Sequence, residues 1–214
     1  MKTRIIIGSV LAAVVFFQSC TKEEVSEPQV TLIQKIVKDV PADTILGVSQ
    51  IGQPFGSGKF TFYSFETNSI VPNSDSNSTK WDIGVRGSTI ITNGGSSGPG
   101  NGGAFVYVGT FDDLTSVPAD STFRVDAAPN LAITAASNRG WYLYTPQTNL
   151  LTPLPGRVLV FRTATGKYAK VEILNYYKGG VTPAATDPDA VKIFNQRYYT
   201  FKFAYQADGT KNFK

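Results

Sequence analysis

The sequence predicts an all-β fold, an antiparallel sandwich or barrel-like β domain with long loops. Three observations carry the prediction. Aromatic residues make up 12% of the 214 residues while charged residues make up only 17%. Twenty glycines and twelve prolines punctuate the chain, and between them short segments rich in β-branched and aromatic residues recur. No stretch shows a convincing long amphipathic helix.

The elements follow in order. Val30 to Val40 fits two periods. Leu32, Ile33, Ile36, Val37 and Val40 have helical spacing, whereas the β-branched content favours a strand, and Pro41 ends either one. Lys59 to Phe65 is aromatic and strand-forming. Lys80 to Arg86 alternates, which places Trp81, Ile83 and Val85 on one face and Asp82, Gly84 and Arg86 on the other. Ser88–Thr92 and Ala104–Val108 read as strands around a glycine-rich stretch. Phe111 to Val117 has room for one helical turn before Pro118. Phe123–Val125, Trp141–Tyr144 and Arg157–Phe161 read as strands, with a Pro-rich loop from Gln147 to Pro155. Tyr168 to Tyr176 places Ala169, Val171 and Ile173 opposite Lys170 and Glu172. In Arg197 to Gln206 the face carrying Tyr199, Phe201, Phe203 and Tyr205 is the one to bury, and Asp208-Gly209 then turns the chain.

The first forty residues read as an address rather than a fold. Lys2 and Arg4 precede an apolar run, Ile5 to Phe17, and Gln18-Ser19-Cys20 follows. A run this short does not span a bilayer, which takes about 20 residues. The pattern is a secretory signal, and its end on Cys20, the chain's one cysteine, makes it a lipoprotein signal. Residues 1–19 are then the signal peptide and Cys20 the acylated N-terminus. Residues 20–40 form the lipidated end and tether, and residues 41–214 the β domain. Thr21-Lys22-Glu23-Glu24 resembles an export signal to the outer face of a Gram-negative outer membrane. Two or three acyl chains hold a protein on a membrane stably.

Composition excludes several functions. The net charge of +4 falls by two once Lys2 and Arg4 are cleaved away. No basic stripe remains, so nucleic acid is not an expected partner. The chain has no histidine, one methionine at Met1 and one cysteine at Cys20. Zinc sites of His and Cys, and Ser-His-Asp or Cys-His catalysis, are therefore closed to the mature domain. Asp112-Asp113 reads as a helix start or solvated turn rather than a catalytic pair. No other motif supports an enzyme.

Three motifs remain. Gly52 to Phe60 looks like a phosphate loop, but Gln53 occupies the first glycine position and Phe60 replaces the magnesium-binding hydroxyl, so nucleotide binding is rejected. Asn93 to Gly103 is the longest glycine-rich string. It reads either as a flexible hairpin loop, which composition favours, or as an ordered loop beside a ligand cleft. Trp141-Tyr142-Leu143-Tyr144 puts aromatics at a strand end, where they either join the core or wall a planar ligand.

Taken together, Lys80-Trp81-Asp82-Ile83, Thr92-Asn93-Gly94-Gly95 with its continuation to Gly103-Ala104-Phe105, Arg157 to Arg162, Gly166 to Val171 and Tyr199 to Phe203 resemble the HmuY family of haem-binding surface lipoproteins (haemophores). The resemblance runs from about Lys59 onward. It implies a nearly all-β domain that grips haem b or another porphyrin between protruding loops. It also implies iron acquisition at the outer membrane and a TonB-dependent outer-membrane receptor that takes the haem onward. Family members hold iron with paired histidines or methionines, and one such ligand falls near Thr145-Pro146 here, where neither residue can ligate. Of the usual haem ligands only tyrosine remains. Tyr144 is the expected iron ligand. Tyr142, Trp141 and Arg157 are the expected companions in binding, with Arg139 or Arg157 as the cation that favours a phenolate. The alternative is a surface binding module of the same fold with a non-haem ligand.

Overall fold

The computed structural model describes residues 32–214. The expected signal peptide, Cys20 and the expected tether as far as residue 31 lie outside the described residues. Within that span the chain forms two single-turn 3-10 helices, at Asn73–Asp75 and Lys178–Gly180, besides thirteen strands and one short α-helix. In order they are β1 (Ile33–Pro41), β2 (Gly47–Val48), β3 (Pro54–Phe55), β4 (Thr61–Ser64), β5 (Ser69–Val71), β6 (Ile83–Arg86), β7 (Thr89–Thr92), β8 (Gly103–Val108), β9 (Tyr142–Thr145), β10 (Leu150–Pro153), β11 (Arg157–Arg162), β12 (Tyr168–Tyr177), α1 (Asp189–Asn195) and β13 (Gln196–Gln206). The strand pairings are antiparallel throughout, as an all-β chain with short connections requires.

Two sheets build the body. The larger has the order β1-β13-β12-β11-β8, and the smaller has the order β5-β4-β6-β7. Their facing sides make one aromatic core. Tyr63 and Phe65 of the smaller sheet and its edge meet Phe201 and Phe203 of the larger, at ring-centroid distances of 5.4 and 5.2 Å. Tyr199, Phe201, Phe203 and Tyr205 are all buried, as their alternation along β13 predicts.

Both sheets are covered on their outer faces as well. Val158, Val160 and Ala204 lie under Phe111, Leu114, Val117 and Phe213. Phe62, Val71, Trp81 and Ile91 form a separate cluster outside the smaller sheet. Trp81 therefore does not share a face with Ile83 and Val85, which belong to the central core. The strand begins only at Ile83, so strict alternation does not reach back to residue 81.

Other expectations are corrected in the same way. The ambiguous first segment is a strand, because its β-branched side chains pair along β13 from Ile33↔Tyr205 to Pro41↔Tyr198. The sheet thus starts inside the span read as tether, ahead of the boundary at residue 41. The Pro-rich loop contains β10, which closes a hairpin with β9. Phe123–Val125 contributes a single bridge, Ala104↔Arg124, rather than a strand. Phe111 to Val117 is a turn rather than a helix, held down by Lys170, whose buried ammonium donates to the carbonyls of Phe111 and Leu114.

The glycine string is ordered. The Asn93 amide donates to the carbonyls of Ser78 and Trp81, both at 2.8 Å, and its oxygen accepts from the Gly100 N–H. Gly95 has φ +60° and presses against the Asp126 carbonyl, where a Cβ would collide. Glycine is needed here for close approach of backbone to backbone. The Gly52 to Phe60 loop is likewise built around a carboxylate of the protein itself. Asp43 Oδ1 accepts from Ser57 Oγ and the Gly58 N–H, both at 2.9 Å.

Candidate functional site

The β6–β7 turn, the β9–β10 hairpin and the junction of α1 with β13 converge on an open cleft of about 400 Å³. Its walls include Ser88, Ser137, Tyr142, Tyr144, Asn149, Leu151, Tyr176, Gln196 and Arg197, with Pro54 of β3 at one side. The volume lies within the range of small-molecule sites.

The floor is fixed from below. Gly87 and Ser88 form the two-residue turn between β6 and β7. The Tyr199 hydroxyl donates to the Gly87 carbonyl at 3.0 Å, and the Trp141 indole N–H donates to the Ser88 carbonyl at 3.0 Å. Trp141 is 1% exposed and packs on Tyr142, Tyr176 and Tyr199 at 5.1, 5.6 and 5.1 Å. It supports the cleft from the core and does not line it.

One wall comes from β9. Residues two apart in a strand share a face, so Tyr142 and Tyr144 both reach the cleft while Leu143 points away. Tyr142 is 7% exposed and Tyr144 42% exposed. The Tyr144 hydroxyl donates to Asn149 Oδ1 at 2.9 Å, and Asn149 Nδ2 donates to Asp189 at the start of α1. Behind them, Tyr176 is buried. Desolvation raises its phenol above the usual range, and the neighbouring Arg197 only partly offsets this.

Arg197 is the charged side chain of the cleft. It is the second residue of β13 and has φ +69°, a left-handed conformation that costs an ordinary residue about 1–2 kcal/mol. Its guanidinium donates to the Asp43 carbonyl at 3.0 Å and lies 3.8 Å from the Asp43 carboxylate. Arg157, by contrast, starts β11 opposite Val108 of β8 and is not part of the lining. Arg139 is exposed and also outside it. The cation beside the cleft tyrosines is Arg197, which the sequence reading missed. Tyr176, Gln196, Asn149 and Ser88 were missed too. They come from four separate places in the chain, and no local motif joins them.

The cleft offers aromatic rings, hydroxyl and amide groups and one fixed cation. Among the described residues no group of three or more His, Cys, Asp or Glu side chains gathers as a metal site. Tyrosine is thus the cleft's one side chain of a kind that ligates haem iron. Aromatic walls of this kind can receive a flat aromatic molecule, and the one side chain here able to donate to iron is a phenol. No helix among the described residues is long and apolar enough to cross a membrane.

Comparison with known proteins gives this picture. The HmuY protein family matches residues 57–153. Comparison with curated proteins gave no match. Among solved structures, a Bacteroides vulgatus chain described as HmuY-like and heme-binding is 14% identical, covers 85% of this chain and 95% of its own, and superposes with a TM-score of 0.46. A Bacteroides fragilis chain described as a lipoprotein is 13% identical over 84% of this chain and 92% of its own, at 0.48. The apo HmuY analogue of Tannerella forsythia is 16% identical over 82% and 96%, at 0.42. The matched stretch, residues 57–153, carries β4 to β10 and both β9 tyrosines, and the family it matches is the one that the motifs of the chain resemble.

Proposed function

We propose that this protein binds haem, or a porphyrin, in the cleft between β9, the β6–β7 turn and Arg197. In this reading it is a lipid-anchored protein of the outer membrane, acylated at Cys20 and displayed on the cell surface. It gathers haem for iron acquisition and passes it to a TonB-dependent outer-membrane receptor. It acts as a binding protein and not as an enzyme. The observation that carries the reading is the HmuY match over residues 57–153, because that segment supplies Tyr142, Tyr144 and the turn that forms the cleft floor.

Tyr144 is the proposed iron ligand. It is the most exposed of the three cleft tyrosines, so it is the one a ligand entering the cleft meets first. Trp141 and Tyr142 support the ring from beneath. Arg157 stands away from the cleft, and any part it has in binding runs through the β8–β11 edge.

The test is a haem titration of the purified protein. Trp141 sits 5.1 Å from Tyr142 in ring-centroid distance, so bound haem should quench its fluorescence as the Soret band shifts. Neither change at micromolar haem would overturn the reading. The Tyr144→Phe variant should lose the tyrosinate-to-iron charge-transfer band, and persistence of that band moves the ligand to another tyrosine. The lack of His and Met in the described domain favours a second reading, the same scaffold with a non-haem ligand. Saturable binding of an iron-free aromatic ligand, with no response to haem, would establish it.

A further inference from the structure

The cleft has a built-in polarity that the fold goes out of its way to maintain. Arg197 is a long, charged residue held at φ +69°, a region that non-glycine residues seldom occupy and that clusters at functional sites. Asparagine and glycine fit such a position more easily. The backbone is nevertheless held there, since the Arg197 carbonyl accepts from the Ala42 N–H at 2.8 Å while the Ala42 carbonyl accepts from the Gly87 N–H at 2.7 Å. One corner thus fastens Arg197 to the turn that forms the cleft floor.

The side chain is fixed as well. Its Nη1 is anchored on Asp43, a loose ion pair at 3.8 Å whose Oδ1 is already taken by Ser57 and Gly58. Its Nε lies beside Gly87, at the cleft floor, within about 4 Å of where a Cβ would stand. Tyr176 lines the same cleft, and the positive charge of Arg197 partly offsets the rise that burial imposes on its phenol. A guanidinium carries five N–H donors, so its anchoring on Asp43 leaves others for a ligand. Glu and Asp are missing from the cleft walls. Aromatic walls and a preset guanidinium suit a flat apolar body that carries a carboxylate.

We infer that Arg197 is the anion anchor of the cleft, selecting planar aromatic ligands that bear a carboxylate and setting which edge of the ligand enters first. The inference rests on reading the cleft as a porphyrin site. It adds a ligand chemistry, a carboxylate-bearing edge turned inward, and a residue responsible for it.

The experiment compares protoporphyrin IX with its dimethyl ester by fluorescence titration of the full-length protein and its variants. The wild type should bind the diacid at least tenfold more tightly than the ester, because charge-assisted hydrogen bonds to a carboxylate are the strong ones. Arg197→Gln should erase that preference by weakening the diacid alone, and Arg197→Lys should retain part of it. Arg197→Gly relaxes the backbone, so it guards against misfolding, and it should lose the preference with no loss in melting temperature. Equal binding of diacid and ester by the wild type, or equal weakening of both by Arg197→Gln, would overturn the anchor while leaving the cleft as the site. Failure of both porphyrins to bind the wild type would overturn the underlying reading and the anchor with it.

Discussion

The Tyr199 hydroxyl donates a 3.0 Å hydrogen bond to the Gly87 carbonyl, which ties the first half of β13 to the turn at the base of the cleft. Tyr199 is fully buried, and burial lifts its phenol well above the usual value, so it remains a neutral donor. Tyr199→Phe leaves that carbonyl without its partner. The expected cost is about 1–2 kcal/mol, read as a lower urea midpoint with an unchanged slope, together with weaker porphyrin binding because the floor loosens. An unchanged midpoint would show that the bond contributes nothing.

Asp82 gives a pH signature. Its carboxylate accepts from the Phe65 N–H at 2.8 Å and the Ala164 N–H at 3.2 Å, joining the smaller sheet to the β11–β12 connection. Desolvation lifts its pKa from 3.8 to about 6, against the pull of those two donors; Glu66 adds to the rise and Lys167 opposes it. Between about pH 4 and pH 6 the folded state holds the proton more tightly than the unfolded state does. The contribution of this group is therefore complete below pH 4 and is lost as pH rises through 6. Two units correspond to at most about 3 kcal/mol. The stability of the wild type relative to Asp82→Asn should fall across that window, measured by denaturant titration at each pH. A flat difference would refute the assignment.

The glycine string should tolerate substitution poorly. At Gly95, Ala meets both the left-handed φ and the Asp126 carbonyl. At Gly209, in the turn after β13, φ is +80° but nothing stands nearby. Gly209→Ala should cost about 1 kcal/mol through conformation alone. Gly95→Ala should cost distinctly more, seen as the larger drop in melting temperature. Equal drops would mean that the loop relaxes.

Lys170 is expected to be worth more than a surface lysine. It is 3% exposed, its ammonium lies 4.2 Å from the Phe111 ring centroid, and burial lowers its pKa. Lys170→Met strands the Phe111 and Leu114 carbonyls, at about 1–3 kcal/mol. Hydrogen exchange should speed up across residues 111–117 before it does elsewhere. Uniform acceleration would instead indicate a global effect.

Membrane attachment is expected to depend on Cys20. Wild-type protein expressed in a Gram-negative host should partition into detergent, and Cys20→Ser should move to the aqueous phase. Detergent partitioning of Cys20→Ser would exclude the acyl anchor.

How much of this was legible follows from periodicity. The aromatic face of β13 was readable because a half-buried strand repeats every two residues. Lys170 fell on the predicted opposite face of β12, yet it is buried there, since Phe111 to Val117 folds over it. Covering both faces of both sheets is what hid the strand limits around Trp81, because polarity no longer marks an outside. β10 was hidden by Pro153 at its end and Pro155 just beyond it. At the site, Tyr142 and Tyr144 stood out as aromatics at a strand end, whereas Arg197 became visible only once β13 was set beside the β6–β7 turn.

The packed glycine string has a practical consequence for anyone wishing to decorate this molecule. The stretch that looks like the natural place for an epitope tag or a dye is bricked into the wall by Asn93 and Asp126. Handles belong instead on the open bends at Gly52 and Gly209, where added side-chain atoms would find only solvent.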